Sequence, residues 1–333
     1  MRNLRSILVF HPALWGLIVL QSLVIAAWIA IDPRISFSLG NTADRLAPLG
    51  ISFLVAVIAY FFQASRWPVF AERVRVMATG LMFLFLFFSG ARFLNYLTMS
   101  LALPMTDDLL DSWDKALGID WHAYALWFSR HPDILPYIQQ PYADSVFAIS
   151  VVFLGLVAFG KIERAKEFVI LLYLGVLLTV CIAGFFPADG AMARYMDSRI
   201  PEAFGPTAGV FFVEALRTVR ESHDYVLSFA AAPGLAAFPS FHTAIALLIA
   251  YAFRDNIITL LLAMGWAGAI LLATPIYGGH YFVDMFAGTV LTIVLATAYA
   301  AVRSGTFRLS WTAAREALPL KTLGSLEARP KES

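Results

Sequence analysis

The chain is almost without thiol. One cysteine, Cys181, occurs in 333 residues, which excludes an internal disulfide and a cysteine metal cluster. Cys181 lies in an apolar run and is expected to be a packing residue. Charge is scarce as well. Asp, Glu, Lys and Arg make up 14% of the residues, against about 25% in soluble domains. The net charge is +1 and no basic stripe is present, so nothing points to nucleic acid as a partner. Neither an internal repeat nor a soluble domain stands out. Apolar residues fill the space instead, at 60% of the sequence. That balance belongs to an integral membrane protein.

Runs of about 20 apolar residues cross a bilayer as helices. Candidate spans lie near 12–31, 47–64, 76–103, 136–160, 167–186, 239–253, 256–274 and 281–302. The expected fold is therefore an all-α integral membrane protein, a polytopic bundle of about eight transmembrane helices. The first run follows Met1-Arg2-Asn3-Leu4-Arg5 and has no small-x-small cleavage site, so it reads as a span and not as a leader. An even number of spans puts both termini on one side. That side carries 15 Lys and Arg, against eight on the other, and is expected to be cytoplasmic. Segments 104–135 and 187–238 then face the periplasm or a lumen. The polar tail, 304–333, is expected to be flexible and cytoplasmic.

Within 104–135, Asp108, Asp111 and Asp114 alternate with Leu109, Leu110, Trp113 and Leu117 at helical spacing. The pattern predicts an amphipathic helix on the membrane surface. Its acidic side reads as a solvated face, and its ligand spacing fits no calcium loop. No metal is assigned.

Two of the six histidines open spans on the outer side. His242 opens the sixth, in "AFPSFHTAIALL". His280 opens the eighth, in "GGHYFVDMFAG", with Asp284 four residues on. Positions i and i+4 of a helix share a face, roughly 6 Å apart. Asp284 can hold the His280 imidazole in one tautomer and stabilise its cation, the task of the orienting member in a nucleophile–base–orienter set. A lone interface histidine is often structural. An ionised carboxylate at membrane depth, costing roughly 2.5–3.5 kcal/mol at the helix centre, usually has a partner and a task.

Pro239 suits a first helical turn. Amides of Ser240, Phe241 and His242 would then point out of the helix start, where an anion is favoured. The Ser240 hydroxyl adds a donor. Gly278 and Gly279 leave the backbone before His280 open to close approach. Together these residues suggest a phosphate site.

"FPSFHT" and "GGHYFVDMFAG", with 37 residues between the histidines, resemble the second and third signature motifs of the type 2 phosphatidic acid phosphatase superfamily. "HYFVD", "LLDSWDKALGIDW" (109–121) and "FFPADGAMARY" (185–195) resemble its inositol phosphorylceramide synthase-like branch. The resemblance covers about residues 95–300. It implies a six-helix phosphatase-type core with extra N-terminal helices, so that 1–303 form one transmembrane catalytic domain. It implies that His280 attacks phosphorus and forms a phosphohistidine, that Asp284 orients it, and that His242 protonates the leaving alcohol. No cofactor is implied. The partners implied are a phospholipid donor and a lipid or water acceptor.

Two departures matter. The first motif, Lys followed seven residues later by Arg-Pro, is absent, and the positions before the third motif that often hold Ser-Arg are Ala273 and Thr274. Substitute cations are needed, because phosphoryl transfer rests on positioning and charge stabilisation. Arg194 is the first candidate, with Arg199, Arg217, Arg220 and His223 behind it. Arg92, inside the third span, is a second candidate for a phosphate or headgroup contact, beside an internal ion pair or snorkelling to the outer interface. The branch resemblance favours transfer of an inositol-phosphate-type headgroup to a lipid alcohol such as ceramide. Hydrolysis of a phosphatidate- or polyprenyl-phosphate-type lipid stays open. So does a proton-coupled transporter using His280 and Asp284 as a relay.

Overall fold

The structure is a computed structural model, and it describes residues 9–38, 42–62, 67–196, 202–228 and 232–304. Thirteen α-helices lie among the described residues. The long apolar ones are α1 (Pro12–Ile31), α3 (Pro68–Ser100), α8 (Ile162–Ala183), α12 (Ile257–Tyr277) and α13 (Phe282–Arg303), while α2 (Thr42–Phe62) has a shorter apolar stretch, Leu46–Phe62. Shorter helices are α4 (Asp107–Ala116), α5 (Trp121–Ser129), α6 (Leu135–Ala143), α7 (Ser145–Ala158), α9 (Ala191–Met196), α10 (Val213–Glu221) and α11 (Phe241–Ala252). By length and composition this is a multi-pass, all-α membrane protein. Contacts separate Met1–Leu295 from Ala296–Ser333. Of the second unit, the described residues are the last turns of α13 and Ser304. The expected tail lies outside the described residues from 305 onward.

Among the described residues five helices are long and apolar enough to cross a membrane, or six with the bent pair α6–α7 counted as one span, against the eight expected. Each expected span still falls on a helix, and three differ in form. The span expected at 136–160 is a pair, α6 and α7, bent by 58°. The span expected at 76–103 starts earlier, because α3 begins at Pro68, a residue suited to a first turn. The span expected at 239–253 is α11, only 12 residues long. At 1.5 Å per residue it covers ~18 Å, short of the ~30 Å hydrocarbon core. Ser240, not Pro239, begins it: the Ser240 hydroxyl accepts from the Thr243 amide at 3.4 Å as an N-cap. Pro239 lies outside the helix, after a cis peptide bond.

Burial explains the arrangement. α11 packs against α7, α8 and α12, and α3 packs against α1, α2, α8 and α10. Gly288 lets α13 reach the start of α11. A Cβ there would fall 2.4 Å from the Ser240 carbonyl oxygen. On the side of the two histidines, strands β1 (Ile35–Ser38) and β2 (Tyr225–Ser228) pair in parallel. Phe212, Leu216 and Val219 seat α10 on Phe93 and Leu97 of α3. This small sheet was not expected; four-residue strands carry too little alternation to be read. Cys181, expected to pack, is exposed on α8.

Candidate active site

The two motifs meet. The rings of His242 and His280 lie 6.4 Å apart between centroids, at 65° to one another. His280 is 5% exposed and Asp284 is fully buried. His280 Nδ1 and Asp284 Oδ2 are 3.1 Å apart. A carboxylate on Nδ1 fixes the proton there and leaves Nε2 with its lone pair. On the other side, the Tyr142 hydroxyl of α6 lies 3.3 Å from His242 Nδ1. The two rings stack at 4.3 Å. Tyr142 was not singled out in the sequence. It sits 100 residues before its partner, and no local spacing links them.

The start of α13 is capped in an unusual way. Asp284, in its first turn, accepts from the Tyr281 amide at 2.9 Å. That is the back-reaching half of a capping box. The forward half comes from α4. Asp114 accepts from the Phe282 amide at 2.9 Å and the Val283 amide at 2.8 Å. Trp121 of α5 donates to the His280 carbonyl at 3.0 Å. Asp107 accepts from the Tyr281 hydroxyl at 3.0 Å and the Asp189 and Gly190 amides at 3.0 and 2.9 Å. The segment 107–121 is thus the back wall of the His280 loop.

This corrects the reading of the acidic face. α4 is helical as expected and Asp108 is exposed, but Asp111 and Asp114 are buried, at 4% and 1% exposure. Burial pushes the Asp114 carboxyl above its usual value, against the pull of the Phe282 and Val283 amides. Burial acts on Asp111 too, but Lys115, Tyr195 and Arg194 outweigh it and hold that carboxyl below its usual value. A periodic pattern reveals that a face is polar. It does not reveal whether water or another stretch of chain covers it.

The residues expected to form a phosphate site are placed as follows. Ser240 is buried and its amide donates to the Asp284 carbonyl at 2.9 Å, so that amide is not free for an anion. The bond ties one motif directly to the other. Gly279 does not open the backbone to a ligand. It takes φ +68°, and a Cβ there would lie 2.2 Å from the Gly209 carbonyl oxygen. Its carbonyl accepts from the Ala191 amide at 2.7 Å. The glycine serves close packing of the outer loop onto the His280 turn.

The cations are spread out. Arg194 turns to α4, where it meets Asp108 at 2.8 Å and Asp111 at 3.3 Å. Arg217 pairs with Asp189 at 2.7 Å. Arg220 donates to the Leu103 carbonyl at 2.7 Å, and His223 is exposed in a turn. Arg199 lies outside the described residues. Arg92 donates to the Ser228 carbonyl at 3.2 Å. Its neighbours in sequence, Asn95 and Tyr96, hold the Leu235 amide and the Pro233 carbonyl. Arg92 and His242 line one cavity of about 770 Å³.

A nucleophile-type imidazole held by a buried carboxylate, facing a second imidazole across the width of one small group, is a site suited to phosphoryl transfer without a fixed leaving group. Residues 108–298, more than half of the chain, match the profile of the PAP2 superfamily, and the chain belongs to that superfamily. It is therefore, in general terms, a phosphatase or phosphotransferase of the lipid-phosphate type. No curated protein and no solved structure matches it.

Proposed function

We propose that the protein moves a phosphoryl headgroup from a membrane phospholipid to a lipid alcohol through a phosphohistidine, with His280 as nucleophile. The observation that carries this is the facing pair, 6.4 Å between ring centroids, with His280 bonded to fully buried Asp284. Each imidazole reaches ~3 Å in a productive hydrogen bond, so one phosphoryl group can touch both.

His280 Nε2 attacks phosphorus. The bond from phosphorus to the leaving alcohol oxygen breaks, and His242 supplies that oxygen's proton. Asp284 stabilises the positive charge that develops on His280. In the second step His242 takes the proton of the incoming hydroxyl. Its oxygen bonds phosphorus and the phosphorus–nitrogen bond breaks. General acid–base help of this kind typically contributes ~10²–10⁴-fold. Tyr142 keeps His242 turned for both steps. Arg92, beside His242 in the cavity, is the proposed phosphate contact; Arg194, bound by α4 acids, acts through the brace.

The proposed acceptor is a lipid alcohol of the ceramide kind and the headgroup is of the inositol phosphate type. Support comes from the branch-like segments 109–121 and 185–195, which meet behind His280 through Tyr195 and Asp111. We place the site on the periplasmic or luminal face, with both termini in the cytoplasm. The test uses purified protein with headgroup-labelled phospholipid and ceramide. Labelled sphingolipid should appear, and should vanish in His280→Ala and Asp284→Asn. Wild-type transfer in either variant would sink the mechanism. Free headgroup phosphate as the sole product would make the enzyme a hydrolase.

A further inference from the structure

The cavity that ends at His242 extends away from it, between α2, α3, α7, α8 and α11. Its charged and titratable groups lie at one end, Arg92 and His242 with Asn95, while Ser52, Ser89, Ser150 and Thr179 add hydroxyls along the walls. The α3 wall away from that end is hydrocarbon, with Phe88, Phe85, Leu84, Met82 and Leu81 following one another down the helix. From Arg92 to Leu81 is eleven residues, ~16 Å of helix, which is about half the ~30 Å hydrocarbon core. The space is thus one leaflet deep. Its 770 Å³ falls within the ~300–1,000 Å³ of small-ligand pockets.

Just beyond the lining residues, α2 and α3 pack on one another. One turn below Leu81 on α3 is Ala78, and one turn below Ser52 on α2 is Ala56. These pack together with Tyr60 in a separate buried cluster. Small residues let the two helices close there, whereas above them the bulk of Leu81 and Met82 lines open space. α2 and α3 both precede residue 108, where the superfamily match begins.

We infer that α2 and α3 form a chain-length ruler: the cavity holds the hydrocarbon chain of the phosphate-bearing lipid, and its closed floor selects how long that chain is. The inference rests on the lipid-phosphoryl reading above and deepens it. Continuity with His242 picks the occupant, since a chain in this space hangs from a group held at the histidine end. Every methylene that stays within the floor adds to binding. A methylene beyond it must fold back or leave the chain's head misplaced at His242.

The test reads retained lipid, not turnover. Full-length protein is equilibrated in mixed micelles with an equimolar series of lysophosphatidates of graded chain length, washed, and its bound lipid extracted and weighed by mass spectrometry. Wild type should retain a peaked distribution. Leu81→Trp, which raises the floor, should move the peak to shorter chains and change the long-to-short ratio at least threefold. Met82→Ala, which deepens it, should move the peak the other way. His280→Ala should keep the wild-type distribution while losing transfer, which separates this inference from the mechanism. A distribution that mirrors the mixture, or one that neither variant moves, overturns the ruler. Equal retention of matching monoacylglycerols would overturn the assignment to the phosphate-bearing lipid.

Discussion

Replacing Asp114 by Asn tests whether α4 builds the active site from behind. The carboxylate is buried and accepts two backbone amides, at 2.8 and 2.9 Å. Asn keeps one acceptor oxygen and turns an NH2 group toward the other amide. One charge-assisted bond is lost, about 1.5–3 kcal/mol. A buried N–H of Phe282 or Val283 is left facing a donor. Burial already strains the charged form of this carboxyl, so relief of that strain offsets part of the loss. We expect a net destabilisation of about 1–2 kcal/mol. The catalytic effect should be larger than that figure implies. The Phe282 and Val283 amides open the helix that carries Asp284, with His280 one residue before its cap. A shift of ~1 Å at a reacting group can cost ~10²-fold in rate. Headgroup transfer should therefore fall ten- to a hundredfold in kcat, with KM little changed, because no lipid contact is removed. Thermal unfolding in detergent and steady-state transfer, measured on the same preparation, check both halves. A kcat within twofold of wild type alongside a lowered Tm would refute the reasoning. The brace would then hold the fold without aiming His280.

Two shorter predictions share that logic. Tyr142→Phe keeps the 4.3 Å stack on His242 and removes the hydroxyl at Nδ1. One neutral hydrogen bond, ~0.5–1.5 kcal/mol, corresponds to a few- to roughly tenfold loss of kcat, with Tm unchanged. Larger losses from Phe than from Ala would contradict an orienting role. Gly279→Ala places a Cβ 2.2 Å from the Gly209 carbonyl at a φ that L side chains rarely adopt. Expression of folded protein should fall steeply, while Gly265→Ala, where a Cβ meets open space, should behave as wild type in size-exclusion chromatography.

What could be read in the sequence, and what could not, divides by distance along the chain. Apolar runs are local, so hydropathy located a helix at each of them, though it counted eight spans where five or six helices among the described residues are long enough to cross. The His280–Asp284 pair is four residues wide, and helical spacing was enough to join it. The Ser240 cap is local too: a Ser before an apolar run is a stronger helix-start signal than the Pro239 that precedes it. The rest is long-range. Asp114 reaches Phe282 across 168 residues, and Tyr142 reaches His242 across 100. In the sequence those partners are an acid on a polar face and an aromatic among many. Arg194 sounded like a free cation because its two acids lie more than 80 residues earlier. The bend between α6 and α7 and the shortness of α11 depend on neighbours, which no local window contains.

The twelve residues of α11 have a consequence for the bilayer. A lone helix of that length would create a hydrophobic mismatch of ~12 Å, met by thinning of the surrounding lipid or by tilt. Here eight of its residues are buried, so its neighbours α7, α8 and α12, not lipid, surround it. At its far end Arg254 lies over the Tyr251 ring at 3.5 Å and bonds to buried Glu167. The mismatch is absorbed inside the protein. His242 therefore has a depth fixed by helix packing, and the proposed His242–His280 pair should keep its geometry in membranes of different thickness.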